Sequence, residues 1–143
     1  MKPILLVVSP YYHDIAAMLL RGATRAIEAA GRTAEVVEVP GAFEIPVAIS
    51  IAHESGRYDG FVALGCVIRG ETSHYDIVCN ESARGCMDIA LREHAAIGLG
   101  ILTVENLEQA IERADPEQGD KGGEAAKAAM HIIGLAEAFG EIA

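Results

Sequence analysis

Gly65-Cys66-Val67-Ile68-Arg69-Gly70-Glu71-Thr72-Ser73-His74-Tyr75 joins a short apolar run, Phe61-Val62-Ala63-Leu64, to a segment of helical composition from Asp76 to His94. The run has the length and character of a buried strand, and the segment after the stretch predicts a helix. Gly65 and Gly70 permit a turn and a close approach of backbone to a ligand. Thr72, Ser73 and His74 fall where the helix begins, so free N–H groups, small hydroxyls and an imidazole meet at one place. Such a place can take an anion and carries a side chain able to move protons near neutrality. It can equally be a plain strand–loop–helix connection with a capping Thr or Ser and a surface histidine. The stretch alone leaves both readings open.

Outward from it the same alternation repeats. Ile4 to Val8 is continuously apolar, as in a strand covered on both faces. A helix is predicted from about Asp14 to Ala30, with Ile15, Met18, Leu19, Gly22, Ala23, Ala26, Ile27 and Ala30 on one stripe and Gly31 as its stop. Ala34 to Val39 reads as a second strand. Pro40-Gly41-Ala42-Phe43-Glu44-Ile45-Pro46 follows, and Pro46 suits the first turn of a helix running to about Ser55. Beyond the central helix, Ala95 to Leu102 gives a fourth strand softened by Gly98 and Gly100. Leu107 to Arg113 is a short helix and Ala114 to Gly123 a loop. A last helix carries Ala125, Ala129, Ile132, Ile133, Ala136 and Phe139 on one face. With no repeat, low-complexity tract or linker, residues 1–143 read as one domain. Four strands alternating with helices predict an α/β three-layer fold, a four-stranded parallel sheet with helices on both faces.

Composition narrows the function. The 143 residues suffice for one domain with a real core, and 51% are hydrophobic, enough to suggest burial against other subunits. A net charge of −10 argues against general nucleic-acid binding, though it leaves room for a small phosphorylated substrate. No apolar run is of membrane-spanning length, and the start is too short and poorly flanked for a signal peptide. Cys66, Cys79 and Cys86 lack metal-ligand spacing and read as small buried residues of a reducing cytoplasm. The histidines are scattered and the carboxylates unclustered, so no metal site is expected.

The polar and aromatic residues of interest follow strand ends: Tyr11 the first, Glu44 the second, Thr72 and His74 the third. In a parallel sheet those ends share one edge, where open α/β sheets bind ligands. Glu44 is either a first-turn carboxylate on the helix dipole or an acceptor for a polyhydroxylated ligand.

Three linked segments carry a resemblance covering nearly the whole chain. They are Pro40 to Pro46, Leu64 through Tyr75 to Asn80-Glu81, and Glu105-Asn106-Leu107-Glu108-Gln109-Ala110-Ile111-Glu112-Arg113-Ala114. Together they resemble the lumazine synthases of riboflavin biosynthesis. The resemblance implies a flavodoxin-like domain, no metal or redox cofactor, and assembly into a homopentamer or a multiple of it. The reaction it implies condenses 5-amino-6-ribitylaminouracil with 3,4-dihydroxy-2-butanone 4-phosphate. Imine formation, loss of phosphate and ring closure then give 6,7-dimethyl-8-ribityllumazine. A flavin- or lumazine-binding module without turnover and a shell-forming paralogue are the competing readings. Intact His74 and Arg113 count against the first. Members that build sixty-subunit shells often carry an extra N-terminal segment, and little precedes the first strand here, which counts against the second.

By motif, the resemblance gives Tyr11 the heterocycle to stack on, where the family usually places Phe or Trp. Ala42, Phe43 and Glu44 would hold the ribityl chain. Cys66, Val67 and Ile68 would line the ring pocket, Val67 and Ile68 through backbone groups. Gly70, Glu71 and Thr72 would cradle the phosphate, and His74 would shuttle protons. Arg113 would bind phosphate and Lys121 a ring carbonyl, both from the neighbouring subunit. Leu99 stands where many members carry a Phe against the ring. Pro10-Tyr11-Tyr12 replaces a commoner Arg-Phe-Asn or Arg-Phe-Tyr sequence, so either tyrosine could stack; gapless alignment from Gly22-Ala23 favours Tyr11.

Overall fold

The structure, a computed structural model, describes residues 1–140. Among these, strands β1 (Ile4–Val8), β2 (Ala34–Glu38), β3 (Gly60–Ile68) and β4 (Ile97–Val104) form one parallel sheet in the order β2-β1-β3-β4. The helices between and after them are α1 (His13–Ala29), α2 (Ile45–Glu54), α3 (His74–Glu93), α4 (Leu107–Ala114) and α5 (Lys121–Phe139), with one 3-10 turn at Ala42–Glu44.

Alternation along the central strands sorts the core into two layers. Ile4, Leu6 and Val8 of β1, with Val62 and Leu64 of β3, pack against α1, α4 and α5. Leu5 and Val7, with Phe61 and Ala63, face α2 and α3. The unbroken apolar run of β1 is therefore covered on both sides, as expected. The stripe of α1 is buried at Ile15, Leu19, Gly22, Ala23 and Ile27, while Ala30 lies beyond the helix and exposed. Gly31 and Gly56 end their helices at φ 77° and 71°, where a Cβ would be strained.

Among the boundaries that differ from the sequence reading, three follow from contacts in the fold. β3 continues to Ile68, so Gly65 lies inside a strand rather than at a turn. Pairing with β4 carries it there, in register from Phe61↔Ile97 to Ile68↔Val104. β4 accordingly runs to Val104 instead of stopping at Leu102. α5 begins at Lys121, so Gly122 and Gly123 belong to its first turn. Asp120 caps that turn, its Oδ1 accepting from Gly123 N–H at 3.2 Å.

The glycines of β4 and α5 let backbones meet. A Cβ on Gly98 would stand 2.6 Å from the carbonyl carbon of Ala125 and nearer still to its oxygen. One on Gly122 would stand 2.9 Å from the carbonyl carbon of Leu19. α5 thus lies directly on β4 and α1, with Ala125, Ala126 and Ala129 buried along the seam. Gly98 is a contact surface and not a softened strand.

Candidate active site

At the carboxyl ends of β1 and β3 opens a cleft of about 490 Å³. Four short segments wall it. Ser9, Tyr11 and Tyr12 leave β1, Gly41 to Glu44 follow β2, Cys66 to Ile68 end β3, and Gly70, Thr72, His74, Tyr75 and Val78 span the turn into α3. The topology explains why segments so far apart in sequence meet. Parallel strands deliver all their carboxyl ends to one edge, and the change of direction between β1 and β3 leaves a crevice there.

The floor is an unfinished lane of the sheet. β1 pairs with β3 only as far as Val8↔Leu64, and the last bond across is Ser9 N–H to Leu64 C=O at 2.9 Å. On the other side, Phe61 N–H bonds to Ala96 C=O at 2.8 Å and Arg69 N–H to Val104 C=O at 2.9 Å. In a parallel strand the bonding direction alternates, so Gly65 and Val67 address β4 while Cys66 and Ile68 address the lane that β1 has vacated. The sequence reading put the backbone of Val67 and Ile68 in the ring pocket. The alternation turns the peptide groups of Cys66 and Ile68 towards that lane, while Val67 lines the cleft with its peptide groups facing β4.

The walls are polar at their tips. Tyr11 is 74% exposed and lies edge-on to Tyr12, ring centroids 5.0 Å apart, so Tyr11 offers its surface to the cleft while Tyr12 is wedged beneath. Burial, helped by the nearby Cys66 and Tyr11, pushes the Tyr12 phenol up from its ordinary value. Burial likewise pushes the Cys66 thiol up to about 11, with Cys79 adding to it, which keeps the sulfur protonated and unreactive near neutrality. Glu44 closes the 3-10 turn. Its N–H bonds to Gly41 C=O at 3.1 Å, and its Oε1 sits so near Gly41 that a Cβ there would be 3.2 Å away.

The turn into α3 has the features of an anion site. Ser73 is the N-cap residue and makes no side-chain cap, so neither hydroxyl competes strongly for the free N–H groups of the first turn. His74 N–H reaches Thr72 Oγ1 only at 3.4 Å, and Gly70, Glu71, Thr72 and His74 are all exposed. Gly70 has open space around it and no positive φ, so the turn here does not demand glycine.

The structure gathers Tyr11, Ala42, Phe43, Glu44, Cys66, Val67, Ile68, Gly70, Thr72 and His74 around one cleft. Glu71, Leu99, Arg113 and Lys121 do not line it. Leu99 lies on the edge strand β4, 41% exposed, beside a depression shared with Cys79, Ala83 and Thr103. Arg113 lies in the last turn of α4 with Nη1 3.1 Å from Gln109 C=O, and Lys121 Nζ stands 3.3 Å from Glu124 Oε1. Among the described residues no Lys or Arg lines the cleft. Ser9, Gly41, Tyr75 and Val78 line it too, though the sequence reading gave them no role in the site. Ser9 directly follows the first strand, and Val78 is one helical turn from His74, so position and i, i+4 spacing were the available signals.

Fold and cleft are those of an α/β domain with a crevice at the carboxyl edge of a parallel sheet, the place where such sheets hold ligands. The particular kind follows from sequence comparison: the profile of the 6,7-dimethyl-8-ribityllumazine synthases matches residues 2–137, and the chain belongs to that family. It is similar to the 6,7-dimethyl-8-ribityllumazine synthase of Erythrobacter litoralis, 54% identical over 98% of this chain and 99% of the relative. The 6,7-dimethyl-8-ribityllumazine synthase 1 of Rhizobium meliloti is 56% identical over 96% of this chain and 93% of its own. That of Zymomonas mobilis is 55% identical over 94% and 96% respectively.

Proposed function

We propose that this chain condenses 5-amino-6-ribitylaminouracil with 3,4-dihydroxy-2-butanone 4-phosphate to give 6,7-dimethyl-8-ribityllumazine, inorganic phosphate and water. It is a transferase. The observation that carries the reading is the cleft itself, which brings an aromatic face, a carboxylate, strand-edge peptide groups, free helix N–H groups and an imidazole within reach of one ligand.

The chemistry divides among these groups. Tyr11 stacks on the pyrimidine ring, and the peptides of Cys66 and Ile68 meet its donors and acceptors as a neighbouring strand would. Glu44, with the peptides of Ala42 and Phe43, takes the ribityl hydroxyls. The phosphate sits on the N–H groups of Gly70 to Thr72. The substrate's 5-amino nitrogen attacks the ketone and water leaves to form the imine. Phosphate departs with its bonding electrons as a proton is lost from the adjacent carbon, and the ribitylamino nitrogen closes the ring with loss of a second water. His74 stands between ring and phosphate positions and carries protons in these steps.

The site is shared between subunits of a homopentamer working in the cytoplasm. Two observations support sharing. Among the described residues no Lys or Arg lines the cleft, and Arg69, the cation next to this turn, is engaged by Glu105. Exposed apolar residues also run from Phe43 of the 3-10 turn to Val47 and Ile51 of α2, and along α4 at Leu107 and Ile111, at intervals of four. Arg113 of a neighbour supplies the missing charge, its guanidinium forking onto phosphate oxygens, and Lys121 and Leu99 of that neighbour approach the ring. Among the described residues no helix is long and apolar enough to cross a membrane.

Turnover of both purified substrates, followed by product absorbance, tests the reaction; no product would refute it. Sharing is tested by mixing His74→Ala and Arg113→Ala chains in one ring. About one quarter of the sites should then be intact. Activity no greater than that of the separate variants, in rings proven mixed, would refute it.

A further inference from the structure

Arg69 carries a charge beside the anion site yet does not face the cleft. Its Nε lies 2.9 and 3.1 Å from the two carboxylate oxygens of Glu105, and its guanidinium carbon 4.3 Å from the ring centroid of Tyr75. Nη1 is 3.8 Å from a carboxylate oxygen of Asp76. Glu105 is itself fixed, because its N–H bonds to Gln109 Oε1 at 2.8 Å while Gln109 N–H bonds to Asn106 Oδ1 at 2.9 Å. The Arg69 main chain is anchored to Val104 of the same junction. One side chain therefore ties both ends of the segment Gly70 to His74 to the start of α4. That segment needs a tie: it is exposed throughout, and Gly70 has no packing partner where a Cβ would stand.

We propose that Arg69, held by Glu105, is a positioning residue that fixes the anion-binding turn and the first turn of α3, and with them His74. The inference rests on the reading of that turn as the phosphate and proton-transfer part of the site. The side chains of the clamp are about half exposed, 44% for Arg69 and 55% for Glu105 and Asp76. Its ion pairs add little to global stability. Their effect is on geometry, where small misplacements of reacting groups cost rate and affinity disproportionately.

The test compares Arg69→Met, Arg69→Lys and Glu105→Gln with wild type in steady-state kinetics for each substrate and in thermal unfolding. Arg69→Met should raise KM for the butanone phosphate about five- to ten-fold, leaving KM for the ribitylaminouracil and the unfolding midpoint near wild type. Glu105→Gln should act in the same direction, and the double variant should be no worse than Arg69→Met, because the two residues act through one contact. Arg69→Lys should recover part of the loss, since an ammonium can sit over Tyr75 but cannot also present separate N–H groups to Glu105 and Asp76. If Glu105→Gln left KM unchanged or lowered it while Arg69→Met raised it, Arg69 would be a direct phosphate ligand and the proposal would be wrong. It would be equally wrong if the variants only lowered the unfolding midpoint, or were kinetically normal. A wild type without turnover would remove this inference and the proposed reaction together; a normal wild type with an unaffected Arg69→Met removes only this one.

Discussion

Replacing Gly98 by Ala tests the packing that sets α5 on the sheet. The added Cβ would lie 2.6 Å from the carbonyl carbon of Ala125. Carbon atoms pack at about 3.5–4.0 Å, so the helix would have to retreat by about 1 Å. It cannot do so freely, because Gly122 holds it against Leu19 and a Cβ on Gly60 would already be 3.0 Å from Ile133 Cδ1. Backbone meets backbone here, so no rotamer change relieves the clash, and the cost belongs at the upper end of overpacking penalties, about 3 kcal/mol. The lost freedom of the unfolded chain offsets about 0.4–1 kcal/mol of that. A net loss of about 2–3 kcal/mol corresponds to about 5–10 °C in Tm for a chain of this size. The measurement is denaturant and thermal unfolding at equal protomer concentration, with Gly134→Ala as control. Gly134 lies within the same helix with no heavy atom within 4 Å of its would-be Cβ, and there Ala should stabilise by up to about 1 kcal/mol. Gly98→Ala as stable as wild type would refute the argument that this glycine exists for contact.

Three further outcomes follow from the site and core. His74→Ala should lower kcat roughly ten- to a hundred-fold with unfolding unchanged, as expected for a proton carrier assisting an already nucleophilic amine; unaltered turnover would leave His74 as a helix-start residue only. Arg113→Ala should chiefly raise KM for the butanone phosphate, and equal inhibition of variant and wild type by inorganic phosphate would contradict the clamp. Burial raises the Cys66 and Cys86 thiols from 9.0 to about 11, so they contribute stability that is fully present below pH 9 and lost as pH rises through 11. Unfolding titrations of Cys66→Ala and Cys86→Ala against pH check this, the expected result being a shallower alkaline limb than wild type.

The sequence was most legible where one residue type has one physical use. Five apolar residues in β1 could only be a strand covered twice, and Gly31 could only stop a helix. It misled where glycine has two uses. Gly65 reads as a turn and sits in a strand, and Gly98 reads as weakness and is a contact, because the deciding neighbour is remote in sequence. The site shows the same division. Residues that follow strand ends were placed at the sheet edge by topology alone. Val67 and Ile68 were named for their backbones, but which peptides are free depends on where β1 stops pairing. The resemblance assigned Arg113 and Lys121 to a neighbouring subunit, and these two, with Leu99, lie off the cleft of their own chain.

On the proposed reading, the lane that β1 leaves open beyond Leu64 makes the ligand a structural member of the sheet. Amide hydrogens of Cys66 and Ile68 belong to a central strand yet lack the neighbour that would slow their exchange with solvent. Those of Gly65 and Val67, one residue away, are held by β4. Protection should therefore alternate along the end of β3 in the empty protein and become uniform once a flat heterocycle fills the lane. Ligand at a hundred times its Kd adds about 2.7 kcal/mol to the folded state. Part of that gain is the completion of secondary structure that the polypeptide leaves to its substrate.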